Sequence, residues 1–548
     1  MPKHPKGVRA RVLLASVFKP FAQDDEFGSR AINPAELYHN QVTREQGPFS
    51  LRMFHRTWSL MLLQRNISAP CTVLDFPTRE HFIQELIDGD YDVVGLSGII
   101  CNVGKIREMC RLVREHSPHA EIVVGGHVTA IPDIETLIDA DHIVKGEGIA
   151  WLREYLGEDA SAPFQHPSIP SSFGFRLMGV PMLRGGGNAA ATILTSVGCP
   201  MGCNFCTTSE FFGGKGRFVN FLPKGEDVFR VMCEAEHELG ARAFFVMDEN
   251  FLLYKTRALE LLELMKQHGK AWSLYVFSSA NAIRKYEIRQ LVELGIEWIW
   301  LGLESLDGRY EKLKGADTLS LSRELQAHGI RVHGSTIIGL EHHSPQNIDG
   351  VIDHAVAHNT VCHQFMLYTP VPGTPLHRQL SAEGKMLEHV DLADIHGQFK
   401  FNFRHGAISR DQSKEFLDRA FRRDYEVNGP SLFRLMANML VGWRRYRNDP
   451  DARVRARVAG EALQLRYGFG AALWAMERYL RDSNREVGQR IGELRRRVEV
   501  ELGGSPMLNR VAGSGLLWSA RREVRHHAGG RVREPRTHVE RSHWVAAT

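Results

Sequence analysis

The chain has 548 residues, 43% of them hydrophobic and 24% charged, with a net charge of +4. That length exceeds one ordinary hydrophobic core and calls for roughly two to four domains, and the composition is that of a globular protein. No run of about 18 apolar residues is present, which argues against a spanning helix, and no apolar signal core follows Met1. Eight cysteines, three of them within eight residues, do not make a disulfide framework. Thiolate ligation calls for a reducing compartment, so the expected localisation is cytoplasmic.

Apolar runs at residues 11–16, 71–75, 92–97, 121–125 and 142–144 alternate with helical patterns at 78–88 and 105–115. Such alternation predicts βαβ units and a parallel, doubly wound sheet over residues 1–160. Ligands of these sheets bind beyond the carboxyl ends of the strands. Those ends carry Ser97-Gly98-Ile99, Gly125-Gly126-His127 and Gly146-Glu147-Gly148, small residues that let a large flat ligand lie close to the backbone. Residues 161–190 are rich in Pro, Ser and Gly and read as a linker.

The strand-like run 191–195 leads into Cys199-Pro-Met-Gly-Cys203-Asn-Phe-Cys206, a C-x3-C-x2-C spacing. A structural zinc site wants four protein ligands, usually as two separated pairs. Three thiolates on a four-iron cluster leave one iron open to a small molecule. Cys199, Cys203 and Cys206, at a strand-to-loop junction, suit the open-iron arrangement, and Gly198 and Gly202 let the backbone wrap closely. A zinc knuckle borrowing a fourth ligand is the alternative.

Strand patterns then recur at 244–247, 272–277, 298–301, 332–338 and 363–368, with helical patterns at 255–267, 285–294 and 346–357 between them. This predicts a βα barrel over residues 191–400, with its site at the carboxyl ends of the strands. Those ends carry Asp248-Glu249-Asn250, Ser278, Glu304-Ser305 and Gly339-Leu340-Glu341. Acidic, amide and hydroxyl groups there suit a ligand with an ammonium group and a ribose diol. The five remaining cysteines, Cys71, Cys101, Cys110, Cys233 and Cys362, read as inert core thiols.

Residues 401–503 read as helical. Within them the segment Ser431–Tyr446 joins a dense apolar face to Arg444, Arg445 and Arg447, as an interfacial helix or as one packed on the barrel. Residues 504–548 hold eight arginines against three glutamates and read as a basic, disordered tail. The tail lacks the interleaved aromatics of a stacking platform, so nucleic acid is not an expected partner.

The cysteine motif, with Phe205 just before its last cysteine, resembles the signature of radical S-adenosylmethionine (SAM) enzymes. The N-terminal layout resembles the cobalamin-binding domain that precedes many radical SAM domains. Ser97-Gly98-Ile99 is similar to its Ser-x-Leu segment and Gly125-Gly126 to its double-glycine turn. The stretch Tyr368-Thr-Pro-Val-Pro-Gly-Thr-Pro375 resembles the last-strand loop of the cobalamin-containing branch. One departure stands out. Where the family has Asp-x-His-x-x-Gly after the first strand, this chain has Ser16-Val-Phe-Lys-Pro-Phe21, with no evident ligand for the lower face of cobalt.

The resemblance implies an α/β fold: an N-terminal Rossmann-like cobalamin-binding domain, a central radical SAM partial (βα)6 barrel and a C-terminal helical region. It implies a [4Fe-4S] cluster on Cys199, Cys203 and Cys206. SAM would be met by Phe205, Asp248, Glu249, Asn250, Ser278, Glu304, Ser305, Ile337 and Gly339, and cobalamin by Ser97, Gly98, Gly125 and Gly126. No catalytic acid or base is assigned. The implied reaction cleaves SAM to a 5′-deoxyadenosyl radical and transfers a methyl group, through cobalamin, to an unactivated carbon of a small-molecule or lipid substrate. Radical cyclisation, oxidation or C–C bond formation without methylation is the alternative on this scaffold; a non-catalytic cobalamin-binding sensor is the alternative of another class. An electron donor such as flavodoxin or ferredoxin and a peripheral membrane contact complete the implied partners.

Overall fold

The computed structural model describes residues 3–19, 41–171, 173–178, 180–181, 189–304, 313, 315–528 and 534–543. The first apolar runs form β1 (Val12–Ser16), β3 (Cys71–Asp75), β4 (Val93–Ser97), β5 (Glu121–Gly125) and β6 (His142–Ile143), and a further short strand, β2 (Arg52–Phe54), stands between the first two in the chain. Strands β3, β1, β4, β5 and β6 lie side by side in that order, all parallel. Strands β1 and β3 are buried along their whole length, as a sheet covered on both faces requires. Helices Arg79–Gly89 and Val103–His116 cover one face, with Phe82, Leu86, Ile106, Met109 and Val113 in the core. Leu60, Leu152 and Tyr155 pack on the other face.

The predicted linker carries strands of its own. β7 (Ile169–Pro170) joins the barrel sheet, while β8 (Phe173–Leu177) and β9 (Val180–Pro181) form a small antiparallel sheet with β2. Residues 172, 179 and 182–188 of this stretch lie outside the described residues.

The barrel consists of six parallel strands: β10 (Ala189–Ile193), then, beyond the short β11 (Ser196–Val197) and β12 (Val219–Asn220), β13 (Ala241–Val246), β14 (Ser273–Ser278), β15 (Ile296–Glu304), β16 (Arg331–Ile338) and β17 (Cys362–Leu367). Neighbours pair in sequence order from β13 to β17, with β10 beside β13, so the sheet curves as a partial (βα)6 barrel. Burial alternates along β14: Leu274 and Val276 pack under the outer helices, while Tyr275 and Phe277 point to the inside. Register pairs Phe245 with Tyr275, Tyr275 with Trp298, Phe277 with Trp300 and Trp300 with His333. An aromatic ladder therefore crosses the inner face, with ring centroids 4.9 Å apart for Phe245–Tyr275, 4.8 Å for Phe277–Trp300 and 3.8 Å for Trp300–His333.

Of the two readings of helix Ser431–Tyr446 the structure bears out the packed one, and one expectation for the C-terminal region is corrected. Helix Ser431–Tyr446 is not interfacial: Leu432, Phe433, Met436, Met439 and Leu440 are buried in a helical core, and Arg444 pairs with Glu501. Nor is 504–548 a disordered tail over its described residues. Pro506–Ala528 is a helix, and β18 (His538–Ser542) runs antiparallel on the outer edge of β3, completing the order β18-β3-β1-β4-β5-β6. Edge pairing explains this: β3 presents unmatched backbone groups that a returning strand satisfies. Arg541 adds a 2.7 Å contact to Glu85, and Thr537 Oγ1 donates to the Phe76 carbonyl.

Candidate functional site at the junction of the two sheets

The carboxyl ends of the two parallel sheets open into one cavity of about 660 Å³. Ser97, Gly98, Gly125 and Gly126 line it from the N-terminal domain, Glu249, Phe245, Phe277 and Trp300 from the barrel. Thr208, Phe211 and Phe212, from the helix that follows the cysteine loop, form a further wall.

The glycine floor is sterically defined. Gly126 has φ +82°, a conformation that favours glycine, and a Cβ there would stand 2.6 Å from the Gly98 carbonyl oxygen. A Cβ on Gly98 would meet Ile106 at 3.0 Å, whereas one on Gly125 would enter open space. A flat ligand can therefore rest on the ends of β4 and β5.

The cysteine loop joins β11 to helix Thr207–Phe211, with all three thiol residues half-buried. Gly198 (φ +87°) and Gly202 (φ +67°) turn it tightly; a Cβ on Gly202 would stand 2.5 Å from Lys215. The Cys206 amide donates to the Cys203 carbonyl at 3.0 Å, and Ser209 Oγ to the Cys199 carbonyl at 2.7 Å. The Phe205 ring stands edge-on to Tyr368, centroids 6.3 Å apart.

The acidic strand end divides into frame and free carboxylate. Asp248 is buried: its Oδ2 accepts from Thr195 Oγ1 at 2.7 Å and from Arg257 Nη2 at 2.5 Å, and its Oδ1 from the Asn250 amide at 2.9 Å. Asn250 Oδ1 accepts from Ser278 Oγ and the Ser279 amide, each at 3.1 Å, and so ties β13 to β14. Asp248, Asn250 and Ser278 thus have their polar groups committed to one another and to the barrel. Glu249 differs. It is open to the cavity yet ringed by protein, and burial, then the neighbouring Asp248 carboxylate, push its pKa up to about 7.

Of the other predicted positions, Glu304, Ile337 and Gly339 lie at the adjacent ends of β15 and β16, outside the residues that line the cavity. Glu304 ends β15 at φ +53°, a conformation rare for a non-glycine residue, beside a register shift against β16. Ser305 lies outside the described residues. Ile337 is core, and Gly339 (φ +81°) turns beneath Phe401, where a Cβ would stand 2.2 Å from the ring.

Residues 193–355 match the radical SAM superfamily model and residues 61–156 the B12 binding domain model. The matched segments take in the cysteine loop with β13 to β16 of the barrel, and β3 to β6 of the first sheet. Together the two matches mark the chain as similar to B12-binding radical SAM methylases. Similar proteins include an uncharacterized methyltransferase, PH0819, of Pyrococcus horikoshii, 24% identical over 54% of this chain and 71% of the relative. The bacteriochlorophyllide d C-8(2)-methyltransferase of Chlorobaculum tepidum is 24% identical over 62% of this chain and 78% of its own length. The hopanoid C-2 methylase of Rhodopseudomonas palustris is also 24% identical, over 62% and 64% respectively.

The cofactors of a B12-binding radical SAM methylase are a [4Fe-4S] cluster, SAM and cobalamin. The residues present fit them: three cysteines in a glycine-turned loop, a carboxylate open to the cavity and a glycine-rich floor on β4 and β5 where Gly125 leaves open space. The segment Ser16–Lys19 supplies no imidazole, and Ser16 Oγ is engaged by the Phe76 amide at 2.9 Å.

Two histidines also line the cavity. His127 stacks on Phe211, centroids 4.6 Å apart, with Nε2 buried and without a hydrogen-bond partner. His55 packs between Trp58 and Phe245, with both ring nitrogens buried and unpartnered. Burial holds both near pKa 4, so both are neutral. Asp75 fixes the His55 segment by accepting from Arg56 Nε and the Thr57 amide, each at 2.9 Å. His55 and the inner aromatics carry no short motif; only the folded register brings them to the cavity. Of the remaining cysteines, Cys71, Cys101, Cys110 and Cys362 are buried and Cys233 is half-buried; burial pushes Cys101 and Cys110 up to about 12 and Cys362 up to about 11.

Proposed function

We propose that this protein methylates an unactivated carbon of an apolar small-molecule or lipid substrate, with both half-reactions in the cavity between its two sheets. The observation that carries the reading is the shared cavity. The predicted cobalamin floor (Ser97, Gly98, Gly125, Gly126) and the barrel's Glu249, Phe277 and Trp300 line the same space. When bound, the cluster with SAM supplies a carbon-centred radical, and cobalamin supplies a transferable methyl group.

The chain's own residues do the rest. Cys199, Cys203 and Cys206 present three thiolates and leave a fourth coordination corner for SAM. Glu249, rather than Asp248 or Asn250, offers a carboxylate to the SAM ammonium group. Phe245, Phe277 and Trp300 exclude water and give an apolar substrate a flat wall. Relatives named for methylating a hopanoid and a bacteriochlorophyllide support a small-molecule or lipid substrate.

The test is anaerobic reconstitution with iron, sulfide and hydroxocobalamin, then incubation with SAM. About four irons and one cobalt per chain, with both S-adenosylhomocysteine and 5′-deoxyadenosine formed, is the expected result. Iron without cobalt, with 5′-deoxyadenosine alone, would shift the assignment to non-methylating radical chemistry. Zinc without iron would end it.

A further inference from the structure

With helix Ser431–Tyr446 in the core, helix Pro506–Ala528 carries half of the large exposed apolar side chains of the C-terminal region, Met507, Leu508, Val511, Trp518 and Val524, the others, Leu463 and Tyr467 among them, lying on other segments. Its inner stripe, Asn509, Gly513, Ala520 and Glu523, is buried against helix Gly470–Leu480. Gly513 is the closest approach: a Cβ there would stand 2.7 Å from Trp474. The outer stripe is Met507, Val511, Trp518, Arg522 and Arg525, spaced so that all five share one helical face. Met507 is 77% exposed, Leu508 69%, Val511 65% and Trp518 60%, and Val500 on the preceding helix 83%. Scattered apolar residues on a surface mean little, but a contiguous stripe of this kind marks an interaction surface.

Charge selects the partner. Arg510, Arg521, Arg522 and Arg525 are exposed, and among the described residues none of them is in an ion pair. The Arg522 guanidinium lies 5.6 Å from the Trp518 ring centroid, extending the apolar stripe into a cationic one. Glu523, the helix's single acidic residue, is turned inward at 6% exposure. A second copy of the chain would meet this stripe with like charge. A nucleic acid would find one exposed ring and no series of them to stack on. A bilayer interface with anionic headgroups accepts both halves, aliphatic and indole groups at the acyl boundary and guanidinium groups at the phosphates.

We propose that the outer face of helix Pro506–Ala528 docks this protein on an anionic membrane surface. The proposal concerns this face alone and stands whether or not the methylation reading holds. No helix among the described residues is long and apolar enough to cross a membrane, so the contact is a peripheral one.

Flotation of the full-length, cluster-reconstituted protein tests it. The protein is mixed at low salt with vesicles of phosphatidylcholine plus phosphatidylglycerol, or of phosphatidylcholine alone. It should float with the mixed vesicles and stay behind with the neutral ones. Arg521→Glu/Arg522→Glu/Arg525→Glu should weaken the partition by about a hundredfold or more, each lost surface charge costing about fivefold. Met507→Ser/Val511→Ser/Trp518→Ser should weaken it by about tenfold or more through lost apolar burial. Both variants alter exposed side chains only, and unchanged thermal unfolding confirms that they fold. Wild-type protein that fails to float, or either variant floating like the parent, overturns the proposal. So does light scattering that shows a dimer which the serine variant abolishes, because the face would then join copies of the chain.

Discussion

Asp248→Asn is the sharpest probe of how the barrel builds its site. The substitution keeps the side chain's shape and removes the charge that faces Arg257. Arg257 Nη2 lies 2.5 Å from Asp248 Oδ2, both side chains are 2% exposed, and the guanidinium is held near the rings of Phe251 and Tyr254 at 5.1 and 5.0 Å. Leaving such a cation buried without its partner costs about 3–5 kcal/mol. Adding Arg257→Met removes the stranded charge with a side chain of similar length, so the double variant should recover about 1–4 kcal/mol of that loss. Urea unfolding reads the stability, since Trp272, Trp298 and Trp300 report on the same barrel, and equilibrium dialysis reads SAM affinity. If Asp248 is frame, Asp248→Asn lowers stability without SAM present, and the second substitution restores stability and SAM binding together. Unchanged stability with a tenfold or greater loss of SAM affinity, not restored in the double variant, would refute the assignment and put Asp248 on the ligand.

Cys199→Ala, Cys203→Ala and Cys206→Ala should each reduce reconstituted iron from about four per chain to near zero, read by iron assay and the visible charge-transfer band. Glu249 sits near pKa 7, and a SAM ammonium group favours its ionised form, so SAM affinity should rise with pH up to about 7 and fall about tenfold per unit below it. Glu249→Gln should flatten that profile, and a flat profile in the native protein would remove Glu249 from the ammonium site. The same raised pKa means that this carboxyl's own contribution to stability falls as pH rises from 4.5 to about 7. Gly126→Ala places a methyl 2.6 Å from the Gly98 carbonyl at φ +82°, and bound cobalt per chain should drop while bound iron holds. Equal loss of both metals would mean general misfolding instead.

Much of this architecture is local and was therefore legible. Every strand of the first parallel sheet except β18 was written as a short apolar run, and Cys199, Cys203 and Cys206 fall within one loop. What was not legible depends on partners distant in sequence. Asp248, Glu249 and Asn250 are consecutive and polar, and nothing in that triplet says that Thr195 and Arg257 engage the first, leaving the second to the cavity. The segment Ser431–Tyr446 has the composition of an interfacial helix, and only its packing shows that its apolar face is covered. Conversely, helix Pro506–Ala528 is inconspicuous in sequence because glycine and alanine on its inner face mask which apolar residues remain outside. β18 was unreadable for a further reason: an edge strand's polar pattern makes sense only beside the sheet that it completes.

The inner wall of the barrel is aromatic where it borders the cavity. Water would quench a carbon radical's selectivity little but would weaken every electrostatic contact around it, so an apolar lining is required in any case. Phe245, Phe277 and Trp300 meet that need with flat rings, Phe277 and Trp300 stacked 4.8 Å apart. In the same parallel strands, the outward-facing partners Leu274, Val276, Ile299 and Leu301 are aliphatic, as ordinary helix packing prefers. The alternation along β14 and β15 thus separates two demands: aliphatic residues hold the barrel together, and aromatic ones face the chemistry.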